Sequence, residues 1–391
     1  MYKRQGLGIT LKYASLYLIF FNLIEYFEST FLGLWNFKLY SISSISLNFL
    51  KLIIVTMNLY YKMQISMIFL LFSILAAVQL VCIIVLIQYK YQFFKRLIKI
   101  NQHVSSDILK FSFFVFLPLL FQFLIINFNQ FILAYYISPR ELAYYLITLM
   151  IILFLSMPIF IIYRIIFPYL AKFFENKEVE KVQLVYNAIF KYGFLIMVPM
   201  CVYVFFTVDY LIILIFGPLY SPLSIYLRIY MIYLLLKLID LTGETFLLAS
   251  NKPKTVLKLS AITAFFTLIL SLLLIPRYEV YGAIISIIVP HSIYILYSNR
   301  LVRKQNNIFL NKKILFSMFK YILSSILSLC IIFIFVVLLS INFTNSIFMV
   351  ALTALYIFLF FILILIFKAI RINEVKEIIR IVKTSFIKSV Y

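Results

Sequence analysis

The sequence contains few of the residues from which catalytic and metal sites are usually built. It has two histidines, His103 and His291, and three cysteines that lie far from one another, so no zinc-binding Cys/His spacing occurs. Only seven glycines are present, and none forms a glycine-rich phosphate loop. A paired-aspartate motif for a metal–pyrophosphate site is also missing. These absences give no support to an enzyme, and they predict no metal or cofactor.

Charged residues are scarce as well. They make up 12% of the 391 residues, while 65% of the residues are hydrophobic. A soluble domain has about 25% charged residues, and a water-soluble chain could not bury this much apolar surface. The composition therefore predicts an all-α polytopic membrane protein.

The apolar residues fall into long runs. A membrane helix needs about 20 mainly apolar residues, and about 11 runs are long enough to be transmembrane helices. They lie near residues 9–31, 39–60, 65–88, 109–133, 141–163, 184–206, 224–249, 255–275, 281–299, 314–340 and 344–368.

The net charge of +22 is concentrated in alternate connectors between these runs. Basic residues fill the connectors around 90–99, 164–181, 252–258 and 300–313 and the tail from Lys368, whereas the connectors between them carry little charge. Because cytoplasmic connectors are enriched in Lys and Arg, the pattern predicts a multi-pass protein of the cytoplasmic membrane with a cytoplasmic C-terminus. Nucleic acid is not expected as a partner, because no basic segment has a soluble fold around it.

The two ends of the chain need separate interpretations. An odd number of spans places the N-terminus outside, yet Lys3, Arg4 and Lys12 have the wrong charge for that side. Either a span is miscounted, or helices are missing from the start of the chain. At the other end, residues 369–391 place apolar side chains at helical spacing between basic ones. This tail is either an amphipathic helix on the inner membrane surface or a frayed end.

The apolar run at 224–249 carries an acidic pair. Asp240 and Glu244 share a helix face, with Lys237 one turn before Asp240. Ionised residues at membrane depth are costly and usually face a cavity or a partner. The pair is therefore either a charged stripe that lines a wet cavity, or a structural patch in which Lys237 neutralises Asp240.

Several other polar residues lie within apolar runs. Lys51 has no neighbouring acid and suits an anionic substrate, although snorkelling to the interface is the alternative. Asn127 and Asn129 follow Gln122 in one polar run, for which interhelical hydrogen bonding is the alternative to substrate binding. His291 follows Pro290, and this pair marks either a simple bend or a proton-sensing point.

Three stretches between Ile108 and Tyr297 carry a resemblance to a known family. They are ILKFSFFVFLPLLFQFLIINFNQFILAYYISPRELAYY, IFGPLYSPLSIYLRIY and LLASNKPKTVLKLSAITAFFTLILSLLLIPRYEVYGAIIS. In this order they resemble the lipid-linked oligosaccharide flippases. These form the polysaccharide-export branch of the multidrug/oligosaccharidyl-lipid/polysaccharide (MOP) superfamily, which includes O-antigen flippases and is related to the MATE exporters. Two positions depart from the family pattern: Asn129, where Asp is frequent, and Glu279, in a turn that reads Tyr-Gly in the family.

The resemblance implies a MATE-like bundle of two helical lobes around a central cavity that opens alternately to either side. The predicted organisation is an incomplete first lobe at 1–106, a second lobe of six spans at 107–301, two extra spans at 302–368 and the tail at 369–391. The implied cargo is an oligosaccharide on a polyprenyl- or dolichyl-(pyro)phosphate, and the implied partners are membrane lipids and glycan polymerases or glycosyltransferases.

For such a cargo, the charge of the predicted site residues suggests a role for each. Lys51, Arg228 and Lys237 would hold the phosphate, and Asp240 and Glu244 would tune the groove through Lys237 or a coupling cation. Asn127 and Asn129 complete the set of substrate-binding candidates.

The sequence bears on three alternatives to this function. A cation-coupled small-molecule exporter of the same superfamily would need a buried acid in the first lobe, which the sequence does not clearly show. A membrane-embedded glycan polymerase or glycosyltransferase would need a long outer loop with Arg or His, or an acidic metal site, and neither is visible. A non-functional remnant is the third alternative.

Overall fold

The computed structural model describes residues 2–34, 36–91, 102–338 and 346–369. Within these ranges the chain forms ten α-helices, a short 3₁₀ turn at Pro218–Tyr220 and no strand. The helices are α1 Tyr2–Gly33, α2 Phe37–Tyr61, α3 Ile65–Tyr91, α4 Gln102–Tyr136, α5 Pro139–Glu175, α6 Val179–Phe216, α7 Leu223–Ala249, α8 Pro253–Asn306, α9 Lys312–Leu338 and α10 Ser346–Ile366. The predicted all-α class is confirmed, whereas the predicted tail helix lies outside the described residues apart from Ala369.

Eight of these ten helices are long and apolar enough to cross a membrane. The two described helices that fall short are α1 and α7, and α7 carries four charged residues: Arg228, Lys237, Asp240 and Glu244. The protein is thus a multi-pass membrane protein, but the predicted total of about 11 spans is not confirmed.

The eighth and ninth predicted spans, 255–275 and 281–299, belong to one element, α8. Its only described non-helical backbone is at Glu279, which divides it into a first arm, 253–278, and a second arm, 280–306. The hydroxyls of Ser271 and Ser286 are 3.2 Å apart, whereas 15 residues of straight helix would separate them by about 22 Å. The two arms therefore fold back on each other as a helical hairpin.

The turn of this hairpin contains one residue with a strained backbone conformation, Glu279. Glu279 has φ 51° and ψ −124°, a conformation that L-residues rarely adopt and that glycine adopts freely. The flippase pattern has glycine at the position of Glu279. This sequence therefore lacks glycine at the one residue of the hairpin whose backbone conformation favours it. Gly282 follows, where an added Cβ would collide with the main chain of Leu274 in the opposite arm.

Replacing Glu279 by Gly is expected to stabilise the protein by about 1 kcal/mol, because glycine removes the Cβ that makes this backbone costly. The thermal unfolding midpoint of the purified protein measures the change. Glu279→Ala is the matched control, since it removes the same charge but keeps the Cβ. An equal gain in both variants would show that the charge, and not the backbone, carries the strain.

The chain packs as two compact units, which divide between Ser105 and Ser106. The first contains α1–α3. Its core is built from apolar side chains of α1 and α3, including Ile24, Phe31, Ala76 and Ile83. Leu39 and Tyr40 of α2 pack against this core, so the first unit is a bundle of three helices.

The second unit contains α4–α10, and its largest core is centred on α5, α6 and α7. Tyr186, Phe190, Leu238 and Phe246 are buried there. Helix α5 begins at a capping box, in which the Ser138 side chain and Glu141 cap each other's backbone. At Gly243 an added Cβ would lie 2.5 Å from Ser298 Oγ, so glycine permits the close approach of α7 to α8.

The last two helices are tied into the second unit by polar contacts with α6. Gln183 Nε2 donates to the Phe309 carbonyl at 2.7 Å, and the Phe309 amide donates to Gln183 Oε1 at 2.9 Å. Tyr203 shares a 2.7 Å hydrogen bond with Thr353 of α10. The Gln183 side chain thus binds both the amide and the carbonyl of Phe309 and holds the connector between α8 and α9 against α6.

Candidate functional site

The acidic pair of α7 lines a small cavity inside the second unit. The cavity has a volume of about 50 Å³, and because a water molecule occupies about 30 Å³, it has room for a small ion or one or two waters. Asp240 and Glu244 form one wall. The others come from Gln122 and its neighbours on α4, from Ser260 and Thr263 on the first arm of α8, and from His291 and Tyr294 on the second arm.

The electrostatics of this cavity favour a positive ligand. It is lined by two carboxylates and by no lysine or arginine. Asp240 is only 8% exposed, and its Oδ1 has no hydrogen-bond partner in the described part of the chain. Such a buried atom costs about 1–3 kcal/mol unless water, a proton or a cation satisfies it. A proton or a monovalent cation in the cavity would satisfy this oxygen.

Lys237 does not form the ion pair with Asp240 that the alternative interpretation predicts. Its Nζ instead lies over the Phe160 ring of α5, 5.2 Å from the ring centroid. Within the described ranges no acid lies within salt-bridge distance of it. A cation over an aromatic face is stabilised by about 1 kcal/mol, so Phe160 and not Asp240 is the contact of Lys237 Nζ, and Asp240 keeps an unsatisfied oxygen.

His291 faces the same cavity as the acids. Its Nδ1 donates to the Ile287 carbonyl at 3.0 Å, and its ring stands edge-on to Tyr233 with the centroids 6.2 Å apart. With Nδ1 committed to the backbone carbonyl, Nε2 is the nitrogen left to accept a hydrogen bond. The structure thus groups His291 with Asp240 and Glu244, although 47 residues separate Glu244 from His291.

The two predicted asparagines of α4 make different contacts. Asn129 is fully buried, and its Nδ2 donates to Ser286 Oγ at 3.2 Å and to the Ala283 carbonyl at 3.4 Å. These are interhelical hydrogen bonds, the alternative to substrate binding for this polar run. Asn127 is half-buried and donates to the Phe123 carbonyl of its own helix at 2.7 Å.

The remaining predicted cations are not among the residues that line the cavity. Lys51 belongs to the first unit, where its Nζ lies 4.6 Å from the centroid of Phe21 and 5.2 Å from that of Tyr17. Arg228 is paired with Asp209 and also donates to the Phe205 carbonyl. Twelve residues of α7 separate Arg228 from Asp240, a rise of about 18 Å. Of the seven predicted site residues, only Asp240 and Glu244 line the acidic cavity.

The structure corrects one expectation about the first lobe. Glu28 of α1 is only 6% exposed and accepts a 2.6 Å hydrogen bond from Ser43, which in turn accepts from Gln79. A buried acid is therefore present, although the sequence analysis did not identify one. The position of Glu28 inside the apolar run 9–31 was the signal that pointed to it.

The polar wall contributed by the first arm of α8 was also missed. Thr263, Thr267 and Ser271 recur every four residues, and each hydroxyl donates to the carbonyl one turn before it. This spacing within an apolar run marks one polar face of a buried helix, and that face points toward the acids of α7 at Thr263.

Comparison with known proteins adds a family and a fold. The sequence model of a family described as "Polysaccharide biosynthesis protein" matches residues 1–225, more than half of the chain. None of the curated proteins matches.

Among solved structures, an outward-facing multidrug resistance MATE family transporter of the MOP superfamily has a TM-score of 0.65 at 12% identity, over 78% of this chain and 75% of that chain. A MATE protein in complex with MaL6 has a TM-score of 0.61 at 14% identity, over 75% and 69%. The lipid II flippase MurJ in an inward closed conformation has a TM-score of 0.62 at 17% identity, over 92% and 73%. The fold is thus shared with MATE and MurJ transporters.

Proposed function

Because this chain belongs to the polysaccharide biosynthesis protein family, we propose that it moves a polyprenyl-(pyro)phosphate-linked oligosaccharide across the cytoplasmic membrane by alternating access. The observation that carries the proposal is the combination of this family with the fold of MOP-superfamily transporters, one of which is a lipid II flippase. Those proteins are transporters and flippases, which supports transport and not catalysis as the activity of this chain.

Moving a glycan headgroup across a membrane requires polar and charged side chains inside the protein. A glycan headgroup cannot cross hydrocarbon unaided, because each hydroxyl that loses its water costs several kcal/mol. A flippase replaces this water with polar side chains while the lipid tail stays in the bilayer. Alternating access to such a site is the usual mechanism of secondary transporters.

The acidic cavity of the second unit is assigned to energy coupling. At about 50 Å³ it is too small for a sugar, but it suits a proton or a monovalent cation. Uptake of that ion by Asp240 or Glu244 would change the charge between α4, α7 and α8, and so bias one conformation over the other. Asp240 and Glu244 thus contribute to translocation through a coupling cation.

Among the predicted site residues, the phosphate of the cargo is assigned to the cations that form no ion pair. Lys51 and Lys237 have no ion-pair partner among the described residues, whereas Arg228 is paired with Asp209. Lys51 and Lys237 are therefore the stronger candidates for a phosphate contact. The cytoplasmic C-terminus and the partnership with glycan polymerases or glycosyltransferases remain part of the proposal, supported by the charge pattern and the family.

Reconstitution tests this function directly. The purified chain is placed in liposomes that contain a fluorescent polyprenyl-pyrophosphate-linked oligosaccharide, and the fraction of glycan protected from an external glycosidase is followed with time. We expect the protein to make the protected pool accessible, compared with protein-free liposomes. Accessibility that does not exceed that of protein-free liposomes under every imposed ion gradient would refute the proposal.

A second candidate, cation-coupled export of small molecules, is favoured by one observation. The buried Glu28 supplies the first-lobe acid that such an exporter needs. Expression in a drug-sensitive strain separates the two functions. Under our proposal the chain confers no resistance to cationic dyes. Resistance that is lost in Glu28→Gln, together with an inactive glycan assay, would identify an exporter.

A further inference from the structure

A second cavity of the same unit lies beside the acidic one. Its volume is about 910 Å³, within the range of about 300–1,000 Å³ typical of ligand pockets. Helices α6, α7 and α9, the second arm of α8 and the connector after it form its walls. It shares no lining residue with the acidic cavity, because the two cavities use different faces of α7 and α8.

Charge in this cavity is confined to one end. Arg300, Arg303 and Lys304 contribute three positive charges, and no acidic residue lines the cavity. The walls away from these cations are mainly apolar and include Leu236 and Met318. A ligand that complements this surface has an anionic head and a long apolar body.

The cations are available to such a ligand. Arg300 and Lys304 are exposed, and neither has a hydrogen-bond or ion-pair partner in the described part of the chain. Arg303 donates through Nε to Tyr186 at 3.3 Å, which leaves its terminal nitrogens free to bind an anion. Tyr186 therefore holds one guanidinium in place at the mouth of the cavity.

We propose that this cavity binds an anionic phospholipid, with its phosphate held by Arg300, Arg303 and Lys304 and its acyl chains against the apolar walls. The basic residues lie beside the connector that the charge pattern places on the cytoplasmic side, where the leaflet carries anionic lipids and basic pockets between helices bind their head groups. Because Lys51 and Lys237, the cations assigned to the cargo phosphate, do not line this cavity, a resident phospholipid fits it better than the transported lipid.

This lipid would act on the helices that carry the acidic pair. The cavity is lined by Leu236 and Ile239, the latter adjacent to Asp240. Asn299, another lining residue, donates to the Ile239 carbonyl at 2.9 Å. Bound lipid is therefore expected to stabilise the packing of α7 on α8. The inference depends on this cavity alone, and it holds whether the cargo is a lipid-linked glycan or a small molecule.

Lipid binding to the purified full chain in neutral detergent tests the proposal. Phosphatidylglycerol and phosphatidylcholine are titrated separately, and the bound lipid is counted by native mass spectrometry. We expect tighter binding of phosphatidylglycerol. The double variant Arg300→Gln/Lys304→Gln should bind it about 30-fold more weakly, because two cations near the phosphate are lost. Binding of phosphatidylglycerol by this variant at the wild-type level would overturn the proposal.

The matched control is Lys312→Gln/Lys313→Gln, which removes two charges from exposed lysines of the same region that do not line the cavity. Retained phosphatidylglycerol binding in this control supports a specific site, and an equal loss in both double variants refutes it. Met318→Trp keeps all three cations but narrows the apolar part of the cavity, where the acyl chains are placed. We expect it to weaken binding too, and unchanged binding would refute the placement of the acyl chains.

Competition identifies the source of the phosphate. Neither inorganic phosphate nor a polyprenyl phosphate should displace phosphatidylglycerol at equal concentration. Displacement by inorganic phosphate would show a simple anion site, and displacement by polyprenyl phosphate would assign the cavity to the lipid carrier; either result overturns the proposal. Each variant is compared only if its unfolding midpoint without lipid equals that of the wild type.

Discussion

The double variant Asp240→Asn/Glu244→Gln is expected to translocate lipid-linked oligosaccharide about 100-fold more slowly than the wild type under an imposed ion gradient. Both substitutions keep the size of the side chain and remove the charge that a proton or cation would neutralise. A coupling free energy between two ligands is typically about 1–3 kcal/mol, which corresponds to about 5–150-fold. Since both acids line one cavity, the loss should lie at the upper end of that range.

The measurement is the initial rate in proteoliposomes, with and without proton and sodium gradients. The wild type should respond to one of these gradients, and the double variant should respond to neither. Glu175→Gln/Glu180→Gln is the matched control, because it neutralises two exposed acids of the same unit. Full gradient-driven activity in Asp240→Asn/Glu244→Gln would show that the acidic cavity has no part in coupling.

Replacing Gly282 by Ala is expected to cost about 3 kcal/mol of stability, at the upper end of the range for an overpacked core. An added methyl group would meet the carbonyl and backbone of Leu274 and the amide of Ile275 in the opposite arm of α8. These are main-chain atoms and cannot rotate away, so the hairpin itself would have to open. The lowered midpoint of thermal unfolding, measured on the purified protein, reports this cost.

Gly8→Ala provides the control for this substitution. A Cβ at Gly8 meets nothing within 4 Å, and alanine is favoured over glycine in a helix by up to about 1 kcal/mol. This variant should unfold at the wild-type temperature or slightly above it. If Gly282→Ala proved as stable as Gly8→Ala, the two arms of α8 could not be in the close contact described above.

The sequence predicted best those features that depend on a single helix, such as its existence and approximate position. Long apolar runs predicted the helices, because a membrane-spanning segment must satisfy its own backbone hydrogen bonds. The helix ends were less predictable. Helix α5 continues to Glu175, beyond the predicted span 141–163, because Arg164 and Lys172 extend the helix past the apolar run without breaking it. The reversal at Glu279 was expected as a connector and is instead a single strained residue.

Contacts between helices could not be predicted from one sequence. The i, i+3 spacing of Lys237 and Asp240 suggested an ion pair, but Phe160 on another helix offers Lys237 an aromatic face. Arg228 is paired with Asp209, which lies on α6. His291 joins the acids only because the hairpin of α8 returns the chain to the same cavity. Spacing along a helix shows which side chains share a face, but the partner of that face depends on the packing.

The side-chain pairing between Gln183 and Phe309 bears on how the protein is synthesised. Gln183 is translated long before the connector that it binds, and the α6 residues that receive α10 also precede it. The final pair of helices can therefore dock onto a surface that is already complete when they leave the ribosome. A chain interrupted after Asn306 would leave this surface of α6 uncovered.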